Sequence, residues 1–449
     1  MVDLPQERYY GMNDKTDLFS PGYFEIPLAL GGSVTLSAGV GKDLTATADF
    51  PDYDFPAALP PEALAIDSLN RFIVKRDGLN TVIAGYPWFL DWGRDTLIVL
   101  RGLVKFPEFQ EKAAQIIRRF AAFEKSGTIP NMICGGNDSN RDTTDAPLYL
   151  IIAVRDYIAE TGNKKFLTEK CNGRTIKEIL LSIIHHYRTG TPNRIIMDQE
   201  SGLIFSPSHF TWMDTNYPAG TPREGYPIEI QSLWYAALEF LGERQLAAKV
   251  RQSIEKYFFT GTVPADCLHC ASGTPASQAI ADDHLRCNIL TAITLGAVSD
   301  PEKQRRILNH TSKLLIPGAI RTLDDSEVSY PLPVSRDGRL LNTPNYPYQG
   351  YYRGPEDTSR KVAYHNGTAW GWPFPAYCEA LAAVGDSHSN KRALALLMSA
   401  IQWMENGVIG EMPEVLDGHA PHLNGGCLAQ AWSVSEFYRV FKILSQAGI

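Results

Sequence analysis

The chain has 449 residues, 44% hydrophobic and 20% charged, with a net charge of −8, a globular balance rather than that of a disordered chain. Phosphate binding needs clustered Lys and Arg, so the acidic balance argues against nucleic acid and anionic membrane surfaces as partners. No apolar run is long enough to span a bilayer, and a neutral polar substrate such as a sugar suits this charge.

In chain order, MVDLPQERYYGMNDKTD lacks a basic region followed by an apolar one, so no secretory leader is expected. The seven cysteines, an odd number in a large chain, point to reduced thiols and a cytoplasmic setting. FEIPLAL (24–30) and SVTLSAGV (33–40), separated by Gly31-Gly32, read as a β-hairpin. Pro51, Pro56, Pro60 and Pro61 then break the chain. They divide it into an N-terminal β segment, 1–58, and a helical domain, 59–449.

Amphipathic helices dominate from there. Hydrophobic periodicity predicts them at 61–76, 94–106, 108–125, 144–161, 174–188, 227–241, 243–258, 280–296, 301–315, 366–384, 389–405 and 428–446. Ala113, Ile116, Ile117, Phe120 and Ala121 fall on one helical face. Thr175 and Glu178 form a capping box at the start of another helix. Long polar and aromatic segments intervene at 80–93, 126–143, 189–226, 316–364 and 406–427, and loops of this length are uncommon in compact domains unless they serve function. The fold class is mainly α. Helix pairs that each bury one stripe can close into a double ring, with loops on one side lining a single pit.

The loops concentrate Trp, Tyr, Asp, Glu and Arg: GYPWFLDWGRD (85–95), the stretch through Asp138, Asp142 and Asp145, HFTWMDTNYPAGTPREGYPIEI (209–230), AYHNGTAWGWP (363–373) and GEMPEVLDGHAPHLNGGCLAQAWS (410–433). Glycoside hydrolysis needs one carboxyl to protonate the leaving oxygen and a second to activate water or attack carbon. A neutral sugar is gripped by hydrogen bonds and aromatic stacking, and these segments supply that mixture. Glu411 stands three residues before Glu414 as a competing carboxylate.

GYPWFLDWGRD, TWMD followed by TPR and IEI, AYHNGTAW, and PEVLDGHAPH with CLAQAWS resemble the glucosidase domain of glycogen debranching enzymes, glycoside hydrolase family 133. The resemblance runs from about Pro21 to the C-terminus, with the motifs in the family's order. It implies an (α/α)6 barrel and release of glucose from an α-1,6 branch stub of a glycogen-like glucan, with inversion at the anomeric carbon. It implies Asp214 as general acid and Glu414 as general base. Arg94 and Asp95 resemble the pair that holds hydroxyls of the terminal glucose. Trp88 and Trp92 are candidate walls of that pocket. Asp145, Glu229 and His365 match motif positions assigned to binding, and Trp212 and Trp370, in TWMD and AYHNGTAW, join that set. Inversion requires the two carboxyls about 6.5–9.5 Å apart, with room for a water.

Arg94 and Asp95 also read as a structural ion pair at a helix start. Relatives in the family carry a β-rich domain before the barrel, and the eukaryotic ones a glucanotransferase domain. Here only about 60 residues precede the first predicted helix, so the substrate stub is expected to come from another enzyme. The alternatives are the same barrel acting on another α-glucoside, trehalase- or glucoamylase-like, and a non-catalytic glucan-binding protein. Cys267, His269, Cys270, His284 and Cys287 fit no usual zinc spacing. No metal and no cofactor are expected, and the oligomeric state is open.

Overall fold

The computed structural model describes residues 2–3, 15–17, 22–32, 34 and 61–446, apart from 134–137, 386, 406–407 and 409. The chain divides into two units, Met1–Ala63 and Leu64–Ile449. In the first, Val2–Asp3 pairs antiparallel with Lys15–Thr16. The FEIPLAL run is exposed and carries no strand. Pro27 within it has no N–H to offer a ladder. The turn that follows is present: Gly32 N–H donates to the Ala29 carbonyl at 2.9 Å, with Gly31 at φ +79°, a conformation that costs glycine nothing sterically. Most of SVTLSAGV lies outside the described residues.

The α-helices of five residues or more among the described residues are α1 (Pro61–Phe72), α2 (Gly93–Leu103), α3 (Pro107–Ala122), α4 (Asp145–Thr161), α5 (Ile176–Thr189), α6 (Ile228–Leu241), α7 (Arg244–Tyr257), α8 (Leu290–Thr294), α9 (Pro301–Thr311), α10 (Phe374–Val384), α11 (Ser387–Met398), α12 (Ile401–Glu405) and α13 (Ala431–Gln446). Their apolar patterns sort them into two kinds. In α4 every residue from Asp145 to Val154 is buried, and in α6 every residue from Ile228 to Leu238, as expected of helices packed on all sides. In α3, α5 and α7 only a stripe is buried, such as Ile176, Ile179, Leu180, Ile183, Ile184 and Tyr187 of α5. The capping box of Thr175 and Glu178 forms as expected.

The two kinds occupy different places. Helices α2, α4, α6, α8, α10 and α13 pack each on the next, and α13 packs back on α2, closing a cycle. Around it α3 packs on α2 and α4, α5 on α4, α7 on α6, α9 on α8 and α10, and α11 on α10 and α13. Along the chain, inner and outer helices alternate.

Four predicted spans differ, the simplest being 389–405, which divides into Ser387–Met398 and Ile401–Glu405. The first helix ends at Phe72, and Ile73–Arg76 turns back on Leu79–Val82 as a hairpin. Its turn is Asp77-Gly78, both at positive φ, a pair whose hairpin preference was readable in the sequence. The span 280–296 is mostly not α-helical: Ile280–Ala281 is a strand and only Leu290–Thr294 is α-helix. Asp282, His284 and Arg286 are buried there at a spacing of two, the period of extended chain rather than helix. The span 366–384 starts helically only at Phe374. Its first part supplies Ala369–Trp370 to a five-stranded sheet with Leu315–Ile316, Ala319–Arg321, Val415–Leu416 and Asn424–Gly425. Among the described residues no helix is long and apolar enough to cross a membrane, and the six described cysteines are all free.

Candidate active site

The chemistry-bearing loops converge where the inner helices begin. Arg94 and Asp95 open α2, Asp145 is the first residue of α4, Glu229 the second of α6, and Trp432 the second of α13. A helix N-terminus favours negative charge, so this end of the ring suits a set of carboxylates. Short ladders tie the loops together. Trp370 lies opposite Val415, which brings AYHNGTAW alongside Glu414. Gln430 lies opposite Gly85, which brings the CLAQAWS segment to GYPWFLDWGRD.

One pocket of about 190 Å³ is lined by Phe89, Trp92, Arg94, Asp95, Trp212, Asp214, Tyr364, His365, Trp370, Glu414, Gln430 and Trp432. Of the residues named from sequence, Asp214, Glu414, Arg94, Asp95, Trp92, Trp212, His365 and Trp370 meet there. Trp88, Asp145 and Glu229 do not. Phe89, next to Trp88, takes the wall position expected of the tryptophan.

Asp145 and Glu229 stand behind the lining as anchors. Both Asp145 oxygens accept from Arg94 Nε at 2.8 Å, and Thr143 Oγ1 donates to Oδ1 at 2.6 Å. Glu229 pairs with Arg223 through both oxygens, and Arg223 Nε also reaches Asp266 Oδ2 at 2.6 Å. Arg94 Nη1 donates to Asp214 Oδ2 at 2.8 Å. Arg94 therefore bridges Asp145 and Asp214.

The carboxyls of the lining are tuned differently. Glu414 is 3% exposed. Tyr364 Oη donates to its Oε1, and the Cys427 N–H donates to Oε2 at 2.7 Å. Burial pushes Glu414 up to about 7, against those two hydrogen bonds and with help from the Asp214 charge. Asp214 keeps 31% of its side chain open. Enclosure of the rest lifts it above the ordinary carboxylate range, Arg94 pulls it down, and Asp145 adds to the rise. Burial pushes Asp95 up to about 8 against Arg94, with the charges of Asp214 and Glu414 adding to it, which favours its protonated, hydrogen-bond-donating form. Glu411 is elsewhere: it pairs with Arg71 Nη1 at 3.1 Å and does not line the pocket. Gly426, at φ +64°, passes so close to Glu414 that a Cβ there would overlap Oε2.

The walls are aromatic. Trp212 packs edge-on to His365, Trp370, Trp372 and Trp432, and its Nε1 donates to Asn288 Oδ1 at 2.7 Å. His365 stacks on Trp370, ring centroids 5.2 Å apart. Burial, then Arg286 and Arg94, hold its imidazole well below the usual value, so it is neutral. Neither His365 nitrogen nor Trp432 Nε1 has a protein hydrogen-bond partner. Buried polar groups left so cost about 1–3 kcal/mol each, a cost that a hydroxyl-rich ligand in the pocket relieves. Sequence reading missed Phe89, Tyr364, Gln430 and Trp432, although all four lie inside the motifs it singled out.

A sequence model of the family described as Amylo-alpha-1,6-glucosidase matches residues 67–337 and 338–439. A glycogen debranching enzyme from Saccharomyces cerevisiae (strain ATCC 204508 / S288c) is 25% identical, with 69% of this chain and 26% of that one covered. The chain thus spans about a quarter of the length of that relative. Among solved structures, a wild-type glycosidase superposes with a TM-score of 0.55 at 13% identity, over 85% of this chain and 95% of that one. A glycosidase variant in complex with glucose gives 0.56 at 12% identity, over 86% and 96%. At such identity the likeness concerns fold, a mainly helical glycosidase fold.

Proposed function

The chain belongs to the amylo-alpha-1,6-glucosidase family of glycoside hydrolases, and from that premise we propose that it is an inverting exo-glucosidase. It removes single α-1,6-linked glucose units from glycogen-like glucans. The observation that carries the reading is the convergence of Asp214 and Glu414 on one pocket walled by Trp92, Trp212, Trp370 and Trp432. Indole faces suit the apolar faces of a pyranose, and two carboxyls suit the reaction. We take residues 59–449 as the catalytic domain and residues 1–58 as a separate segment. The fold that goes with this reading is an (α/α)6 barrel, supported by the closed cycle of inner helices and their alternation with outer ones. The free thiols fit a reducing, cytoplasmic compartment.

We assign the two roles as follows. Glu414 receives two hydrogen bonds that stabilise its ionised form, as a base requires. Asp214 offers one oxygen to Arg94 and keeps its side chain partly open, placed to give a proton to the glycosidic oxygen. Glu414 takes a proton from water as that water's oxygen bonds to the anomeric carbon and the bond to the leaving oxygen breaks. Asp95, His365 and Trp432 are the hydroxyl-binding groups.

Proton NMR of a branched oligosaccharide bearing one α-1,6-linked glucose tests the stereochemistry. β-Glucose should appear first; α-glucose first overturns the inverting assignment.

A second measurement tests the base. The acid limb of kcat/KM should fall near pH 7, because Glu414, pushed up to about 7, must be ionised to act. Tyr364→Phe removes a donor to that carboxylate. Hydrogen bonds to charged groups are worth about 1.5–3 kcal/mol, and one pKa unit is about 1.4 kcal/mol. The limb should therefore move up by about one to two units, with kcat lowered at neutral pH. An unmoved limb in the variant would separate Tyr364 from the titrating group.

A further inference from the structure

A second cluster lies away from this pocket and does not depend on the functional reading. His269 Nε2 is 2.9 Å from Asp282 Oδ2, and His284 Nδ1 is 3.5 Å from the same oxygen. These three atoms lie within 4.8 Å of one another. Each group is also held from its far side. Asp282 Oδ1 accepts the N–H groups of Asp266 at 2.7 Å and Cys267 at 3.2 Å. His284 Nε2 stands 2.8 Å from the Tyr330 carbonyl oxygen. The His269 ring stacks on the Tyr330 ring with centroids 4.3 Å apart at 14°.

A carbonyl only accepts, so the His284 Nε2 side donates to Tyr330 and Nδ1 is the ring's candidate ligand atom, turned toward the Asp282 oxygen. A ring nitrogen fixed by a carbonyl on its other side is the usual arrangement of a metal-ligating histidine.

We propose that His269, Asp282 and His284 bind one divalent transition-metal ion, with zinc the best match. Two imidazole nitrogens and one carboxylate oxygen are a donor set that zinc accepts while leaving a position open. Asp282 also lines a cavity of about 530 Å³ with Asp283, Asp324 and Glu327, an acidic approach for a cation. The cysteines nearby are not part of the set: Cys267 Sγ donates to the Arg223 carbonyl at 3.6 Å and Cys270 Sγ to the Thr274 carbonyl at 3.9 Å.

The ion's role is structural. Asp282 holds the Asp266 amide, and the Asp266 carboxylate holds Arg223 at 2.6 Å and Asn288 at 2.8 Å. Asn288 in turn receives the Trp212 indole N–H. The bound ion braces the back of the aromatic wall rather than touching a substrate.

The test uses the tag-free full chain, stripped with chelator, dialysed against zinc and then freed of excess. One equivalent of zinc should stay bound, the Tm should rise by several degrees, and cobalt in its place should absorb in the visible without a thiolate charge-transfer band. His269→Ala should keep the circular dichroism of the parent and lose both zinc retention and the zinc-dependent rise in Tm. Asp282→Asn should lose retention as well. No retained zinc in the parent, or equal retention in His269→Ala, overturns the proposal.

Discussion

Asp214→Asn should lower kcat on a branched oligosaccharide by about 10²–10⁴-fold, the worth of general acid help. The substitution is nearly isosteric and Asn Oδ1 still accepts from Arg94 Nη1, so folding should be unaffected. The informative comparison is with α-glucosyl fluoride, whose leaving group needs no proton. On that substrate the variant should recover most of its rate, whereas Glu414→Gln should stay slow on both, because water must still be activated. The opposite pattern, with Glu414→Gln rescued and Asp214→Asn not, would exchange the two roles. If neither the parent nor Asp214→Asn turns over any glucan while glycogen still co-sediments with the protein, the non-catalytic glucan-binding reading stands; equal turnover by both would remove Asp214 from the chemistry.

The contrast between these carboxyls shows what a sequence carries and what it does not. Outer helices such as α5 were legible because a stripe of Ile, Leu and Tyr at helical spacing has one physical use. Among the inner helices, α4 and α6 were legible, whereas α8 and α10 proved much shorter than their predicted spans. The failures fall where polar side chains are buried in extended chain. Asp282, His284 and Arg286 find their partners on other segments, at the Asp266 and Cys267 amides, the Tyr330 carbonyl, and the Thr322 carbonyl with Asn366, and periodicity read as helical hides that. At the site, motif identity brought the right loops but not the facing of neighbours: Phe89 instead of Trp88 lines the pocket, and nothing local in an irregular segment decides between them. Asp145 and Glu229 were named as binding groups because they match motif positions of the family. Their partners, Arg94 at 51 residues' separation and Arg223 at six, consume both carboxylates, and only the fold reveals it. Tyr364 and Gln430 were overlooked inside quoted motifs because neither residue type by itself marks a catalytic role.

Arg94→Ala is expected to be the most damaging single change to stability. Arg94 is 2% exposed and Asp145 1%. The guanidinium spans Asp145 and Asp214, and Asp95 and Glu414 line the same pocket. Burial, then the charges of Asp145 and Asp214, set its pKa, whose net direction is upward, so it is the fixed cation of an acidic pocket. Removing one partner of a buried ion pair costs about 3–5 kcal/mol, since the charge left behind has no water to replace it. Urea unfolding at pH 7 should show a loss of that size. The sign of the pH dependence follows: carboxyls deprived of their cation have folded pKa values above their unfolded ones, so the stability they contribute is present in acid and lost as pH rises. The gap between variant and parent should therefore narrow as pH is lowered. Arg94→Lys should fall between, because an ammonium keeps the charge but cannot bridge two carboxylates with a planar fork. It should lose activity more than stability, as Asp214 would no longer be held in place. A loss under about 1 kcal/mol in Arg94→Ala, the range of an exposed pair, would mean that Asp145 and Asp214 do not depend on this cation, and the electrostatic account of the pocket would fail with it.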